Sequence, residues 1–398
     1  MWCMSLTVCQ CDSVIVRPCD SVIMRQCDSM GFSLLANLPP VYGLYVSIFP
    51  VLIYSFLGSS RYLSNGTFAV ISLMVANVVN RLATDPSGAS TLPGHMSSDN
   101  VTDSIINGTD PVVITGIQVA TCMALFIGIL QIPLGFLRFG FITAYLSESL
   151  IRAFTTGAAM HVVTSQIKHL FGVSVSSYTG VLRLPYTWID FFSKLMTTNW
   201  VALVLGVATI VFLVVMRECV NDKYKSKMFM PIPAELVVVV VMTGISYGAK
   251  LEKDWNLTVV GEIRPGLPQP SVPDVSLFPD MIGDVIAVAI ISWVFNVGMA
   301  EILARKRDQE IDADQEMIAL GAAHVFSSFF SCFPGTNALA RSLIQESVGG
   351  VTQIAGLVSC VIVIIVSLWL GPLLYDLPNS VFGWNHPSVS EGNVPAVQ

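Results

Sequence analysis

Three runs of this chain, 112–137, 199–216 and 351–375, contain no Asp, Glu, Lys or Arg. Crossing the hydrocarbon core of a bilayer takes about 20 mostly apolar residues as a helix. Three further runs, 143–166, 231–249 and 281–304, reach that length with one or two charges each. Shorter or broken runs lie at 31–57, 67–80, 316–333 and 336–346. The first of these holds Pro39, Pro40 and Pro50, so it reads as two helices joined by a tight turn. Backbone groups inside a membrane must be paired within the segment or in a closed barrel, and runs of this length select helices. The chain is therefore expected to be an all-α polytopic membrane protein with roughly eleven segments. Its charged fraction of 12% fits, since soluble domains carry about 25%.

Other classes fall away on the same residues. The net charge of −7 and the lack of a basic tract exclude nucleic acid as a partner. His95, His161, His169, His324 and His386 are dispersed, and no triad, metal constellation or cofactor motif accompanies them, so no enzyme is expected. Asp308, Asp312 and Asp314 lack the glycine and glutamate spacing of a calcium loop and read as a solvated turn. Cys122, Cys332 and Cys360 sit in apolar runs, where cysteine acts as a small hydrophobe, and Cys219 follows the run 199–216. Residues 1–30 carry a Cys-Asp-Ser repeat at Cys11, Cys19 and Cys27. It is too short to stack and lacks the basic start and apolar core of a signal peptide, so it reads as an aberrant N-terminus.

Loop charges give an orientation. Arg217, Lys223, Lys225 and Lys227, and the cluster Arg305-Lys306-Arg307, mark the cytoplasmic side. The stretch 82–111 has no Lys or Arg and holds the glycosylation acceptors Asn100 and Asn107. Asn256 is a third acceptor expected on that outer side, although Lys250, Lys253 and Arg264 share its loop. Asn65 also heads an acceptor triplet, but it falls where a helix begins within the membrane, and no sugar is expected there.

Two segments stand apart. Leu63 to Ser72 and Cys332 to Ser342 each pass from turn-forming residues into a helix too short to span. Thr67 and Thr336 suit the N-cap role. Short interrupted segments at corresponding places in two halves point to a transporter's binding site. Each helix N-terminus leaves N–H groups unpaired and carries about half a positive charge. Two such ends facing each other near the midplane would hold an anion. Arg341, about one turn into the second segment, would add a full charge. Glu301 has two readings: it faces the site and pairs with Arg341 or takes a proton, or it pairs at the interface with Arg305 one turn on. Glu148 and Arg152, also one turn apart, read as a helix-surface pair.

Several stretches resemble the sulfate permease family, which is solute carrier family 26. They are Leu35 to Tyr45, Gly66 to Ser72, Ile151 to Ala159, Asp314 to Gly321 and Arg341 to Gly350, in the family's order over 31–382. The resemblance implies a seven-plus-seven inverted repeat with two half-helices meeting at the midplane. It implies a core formed by 31–138 and 281–375, which carries the anion, and a gate part at 141–250. It implies homodimers in the plasma membrane that exchange sulfate, chloride, bicarbonate or oxalate by elevator-like alternating access. Carried over by position, the anion pocket comprises Phe32, Thr67, Phe68, Ala69, Asn337, Ala338, Leu339, Ala340 and Arg341. Glu301 matches a position of coupling and selectivity, where Glu favours divalent and Lys monovalent anions. Arg341 and its surroundings resemble the chloride, bicarbonate and oxalate branch instead, so the choice of anion stays open.

Departures accompany the match. Asp28 and Ser29 stand where the family has Gln and Gly, and Ala340 stands where Ser is frequent. Gly383 to Gln398 reads as a polar tail unlike the family, with the last three helices and the cytoplasmic regulatory (STAS) domain absent. Three alternatives follow: a non-transporting truncated isoform that modulates full-length partners, an anion channel, and a carrier of nucleobases on the same fold.

Overall fold

The computed structural model describes residues 29–60, 63–83, 114–141, 183–198, 200–216, 234–249, 266–307, 311–337 and 353–369, with Ser342 and isolated residues between 156 and 173. The predicted 31–57 segment divides into three helical pieces rather than two. The chain is helical over 29–35 (α1), turns at 36–38, and continues as α2 (Pro40–Val46) and α3 (Phe49–Leu57). Pro40 opens α2 and Pro50 lies in the first turn of α3, where a missing N–H costs nothing. Asn37 takes a left-handed φ of 57° at the first turn, a conformation Asn tolerates, and its Nδ2 donates to Asn80 Oδ1 at 2.8 Å.

A two-residue strand, β1 (Asn65–Gly66), leads into α4 (Ala69–Leu82). Then come α5 (Gly116–Phe136), α6 (Arg183–Ser193), α7 (Trp200–Val215) and α8 (Ala234–Ala249). A 3-10 turn at Val275–Met281 runs into α9 (Ile282–Arg307). After it follow α10 (Ala313–Ser328), β2 (Thr336–Asn337) and α11 (Ile354–Trp369). By length and composition, three described helical stretches are long and apolar enough to cross a membrane: Pro40–Leu57, Gly116–Phe136 and Val275–Ala304. The predicted span 143–166 lies almost wholly outside the described residues.

Packing centres on α10, which lies most extensively against α5 and then against α3. Val46, Ile71, Val75, Val119, Met123, Ile127 and Met281 join in one buried cluster. Phe49 stacks on Phe330 at 4.2 Å and Phe126 on Phe278 at 3.8 Å. Elsewhere α7 packs on α8. Its Trp200, Val204, Val207, Val211 and Val214 are exposed along one face, as expected of a helix whose solvent is lipid.

The acidic turn before α10 is more than a solvated loop. Asp312 caps that helix, accepting from the backbone N–H of Asp314 (3.0 Å) and Gln315 (3.2 Å). Asp314 accepts from Gly140 N–H at 2.6 Å. Asp308 lies outside the described residues.

Candidate functional site

The two unusual segments meet. β1 and β2 pair antiparallel, with Asn65 opposite Asn337 and Gly66 opposite Thr336. A Cβ at Gly335 would fall onto the Gly66 carbonyl, so the close approach of the two chains requires glycine there. Ser64 N–H donates to Ser342 Oγ at 3.1 Å, a second tie between the segments.

Beyond β1 the chain turns directly into α4. Its 14 residues measure about 21 Å, short of a ~30 Å hydrocarbon core. The expected N-cap is corrected by one residue. Phe68 holds the N-cap position in an extended conformation and supplies no side-chain cap. Thr67 lies one residue earlier, and its Oγ1 donates to Ser29 Oγ at 3.4 Å. Helical bonding begins with Ser72 N–H to Phe68 O, so the N–H groups before it have no partner within the helix. Thr336 lies in β2, and its Oγ1 donates to the Ser292 carbonyl at 2.7 Å; the helix start it is expected to cap lies outside the described residues. The strand pair takes Asn65 and Gly66, just ahead of Thr67, and Thr336 itself.

The pocket residues proposed from the sequence divide cleanly. Phe32 and Ala69 are buried together in one small cluster, which fixes α1 against the start of α4. Phe68 packs on Phe295 at 4.7 Å, so its ring has a packing role whatever else it does. Thr67 and Asn337 are fully buried. Ala338, Leu339, Ala340 and Arg341 lie outside the described residues, as do Asn100, Asn107 and Asn256. Glu301 is half-buried toward the end of α9. Its two suggested partners, Arg341 and the Arg305 side chain, are likewise not described.

Around the strand pair, five buried side-chain atoms have no hydrogen-bond partner among the described residues: Ser64 Oγ, Asn65 Nδ2 and Oδ1, Ser72 Oγ and Asn337 Oδ1. Buried polar groups are nearly always paired, and leaving one unpaired costs about 1–3 kcal/mol. Such a cluster beside an uncapped helix start is a place for a polar ligand.

Two networks that the sequence did not signal support this place. Glu316, fully buried, gathers five donors. Its Oε1 accepts from Ser59 N–H (2.9 Å), Ser59 Oγ (2.7 Å) and Ser60 N–H (2.8 Å). Its Oε2 accepts from Tyr54 Oη (2.5 Å) and Asn296 Nδ2 (3.1 Å). Asn337 Nδ2 in turn donates to Asn296 Oδ1. In the second network His324 is held between Gln131 Oε1 (3.0 Å) and the Gly335 backbone (N at 3.2 Å, O at 2.9 Å). Gln131 Nε2 donates to the Ala289 carbonyl and to Ser292 Oγ, both at 2.9 Å. The position of β2 is thus set by α5, α9 and α10 together. One available signal was Glu316 itself, an ionisable residue within a predicted membrane segment.

Replacing Thr336 with Val keeps the shape and removes the bond to Ser292. It is expected to lower stability by about 1 kcal/mol, read as a small drop in the unfolding temperature of the solubilised protein. No change would mean that the hydroxyl does not hold β2.

Comparisons with known proteins bear on the family and the fold. The model of the sulfate permease family matches residues 23–384. Prestin from Danio rerio is 39% identical over 360 residues, covering 88% of this chain and 46% of prestin. A solved structure described as the overall structure of SLC26A9 superposes with a TM-score of 0.83 at 37% identity, covering 96% of this chain and 58% of that one. The transmembrane domain of a cyanobacterium bicarbonate transporter, BicA, superposes with a TM-score of 0.72 at 18% identity, covering 94% of this chain and 86% of that domain, a likeness of fold. The chain spans about half the length of the curated relatives it matches.

Proposed function

The chain belongs to the sulfate permease family, and from that premise we propose that it binds a small anion at the β1–β2 pair and carries it across the membrane. The observation that carries this reading is the uncapped start of α4 beside a cluster of buried, unpartnered Ser and Asn atoms. Free backbone N–H groups and hydroxyls can donate to an anion, and the helix start adds partial positive charge. In a low-dielectric surrounding these dipoles act more strongly than in water.

In the proposed mechanism Thr67, Phe68, Ala69 and Phe32 form the α4 side of the pocket. Asn337, Ala338, Leu339, Ala340 and Arg341 form the other side, where a second half-helix of an inverted repeat would begin. The parts 31–138 and 281–375 would move as a core against the gate part 141–250 and a dimeric scaffold. Substrates would come from the sulfate, chloride, bicarbonate and oxalate class.

The test is uptake of radiolabelled sulfate and chloride into proteoliposomes holding the full chain. Arg341→Ala is expected to raise the KM for both about tenfold, since a hydrogen bond to a charged group is lost. Glu301→Lys is expected to move the sulfate-to-chloride ratio toward chloride. An unchanged KM in the first variant would remove Arg341 from the site, and an unchanged ratio in the second would remove Glu301.

A further inference from the structure

Asn337 stands in the strand pair with one end of its amide committed. Nδ2 donates to Asn296 Oδ1, while Oδ1 is buried without a partner among the described residues. The two ends of an amide are alike in shape, so the hydrogen-bond network decides which end faces where. Here the decision is made at Glu316. An ionised carboxylate only accepts. Asn296 must therefore turn Nδ2 toward it, at 3.1 Å from Oε2 and 3.5 Å from the Glu316 backbone carbonyl, another acceptor. That leaves Asn296 Oδ1 facing Asn337, which has to answer with its own Nδ2. The carbonyl end of Asn337 is left in the strand pair opposite Asn65, whose amide is unpartnered at both atoms.

We propose that Glu316 is a specificity-determining positioning residue: acting through Asn296, it fixes the Asn337 amide so that an acceptor, not a donor, faces the anion site. The inference rests on the reading of the strand pair as that site. Its consequence is chemical selection. An oxyanion with its own hydroxyl, such as bicarbonate, can donate to Asn337 Oδ1. A halide brings no proton and meets a partial negative charge. The site therefore ranks hydroxyl-bearing oxyanions above chloride of the same charge.

Glu316→Gln reverses the chain of amides. The Gln oxygen stays with the three donors of Ser59 and Ser60, so its amino group takes the place of Oε2. Tyr54 Oη can accept from it, Asn296 turns its Oδ1 toward it, and Asn337 turns Nδ2 into the site. In proteoliposomes containing the full chain, the chloride KM is expected to fall about tenfold and the preference for bicarbonate to shrink by a similar factor. Asn296→Leu removes the middle of the relay and frees the Asn337 amide to turn. It is expected to act in the same direction, and adding Glu316→Gln to it should change the ratio less than twofold further, the signature of a shared pathway. A purely structural role would lower uptake of both anions alike. Uptake with an unchanged bicarbonate-to-chloride ratio in both single variants would overturn the relay and leave the anion reading standing. A wild-type chain inserted in the membrane that takes up neither anion would overturn both.

Discussion

Glu316→Ala is expected to destabilise the protein by about 4 kcal/mol, and Glu316→Gln by less than about 1 kcal/mol. The difference follows from which donors can find another partner. The hydroxyls of Tyr54 and Ser59 can rotate toward other acceptors. The N–H groups of Ser59 and Ser60 cannot, since the turn after α3 fixes their direction. The buried Ser60 N–H left unpaired costs about 1–3 kcal/mol and the half-buried Ser59 N–H less, and the bonds to Tyr54 and Asn296 are lost as well. Gln keeps an acceptor in the place of Oε1 and so spares both N–H groups. Thermal unfolding of the solubilised protein, with the amount reaching the membrane, measures this directly. Equal unfolding temperatures for the Ala and Gln variants would show that the carboxylate does not hold the 58–60 turn.

The contrast between Glu316 and Phe68 shows what a sequence of this kind discloses. The membrane class was legible because absence of charge over 112–137 is a local property that needs no partner. The pairing of Leu63–Ser72 with Cys332–Ser342 was legible because both carry the same signature: turn residues followed by a helix too short to span. The strand that joins them was not. Two-residue strands leave no alternation to read, and Thr336, whose residue type suits a cap, lies within one of them. Asn296 and Gln131 gave no signal at all, since a lone amide in an apolar run looks the same whether it faces lipid, water or another amide. Their roles depend on residues more than a hundred positions away for Gln131 and about twenty to forty away for Asn296. Glu316 was not singled out from the sequence: it heads the 316–333 run, and its donors come from α3, the turn after it and α9, which no spacing rule connects. Phe68 was read as a pocket residue, and the structure adds Phe295 as its packing partner.

Gly128 and Gly321 give the other large effect, and the two are expected to differ in the size of their response to the same small change. Here α5 and α10 cross closely enough for their backbones to touch, as small residues allow in membrane helices. A Cβ at Gly128 would lie 2.5 Å from the Gly321 carbonyl oxygen and 2.8 Å from Val325 N, both backbone atoms that cannot step aside. A Cβ at Gly321 would meet the Gln131 and Ile132 side chains at 3.0 Å and the Gly128 carbonyl at 3.1 Å, a crowding that a few tenths of an ångström relieves. Alanine gains about 1 kcal/mol of helix propensity over glycine at either position. At Gly321 that gain offsets the crowding, and Gly321→Ala is expected to be within about 1 kcal/mol of wild type. At Gly128 the backbone clash wins, and Gly128→Ala is expected to cost about 1–3 kcal/mol net, with Gly128→Val costing more. The clash also reaches the site. Gln131 lies one turn beyond Gly128, and through His324 it holds Gly335 and so β2. Pushing α5 from α10 should therefore lower anion uptake beyond what reduced abundance explains. Uptake per inserted molecule, compared between Gly128→Ala and Gly321→Ala, separates the two effects. A normal rate per molecule for Gly128→Ala would mean that β2 keeps its place without the Gln131–His324 brace.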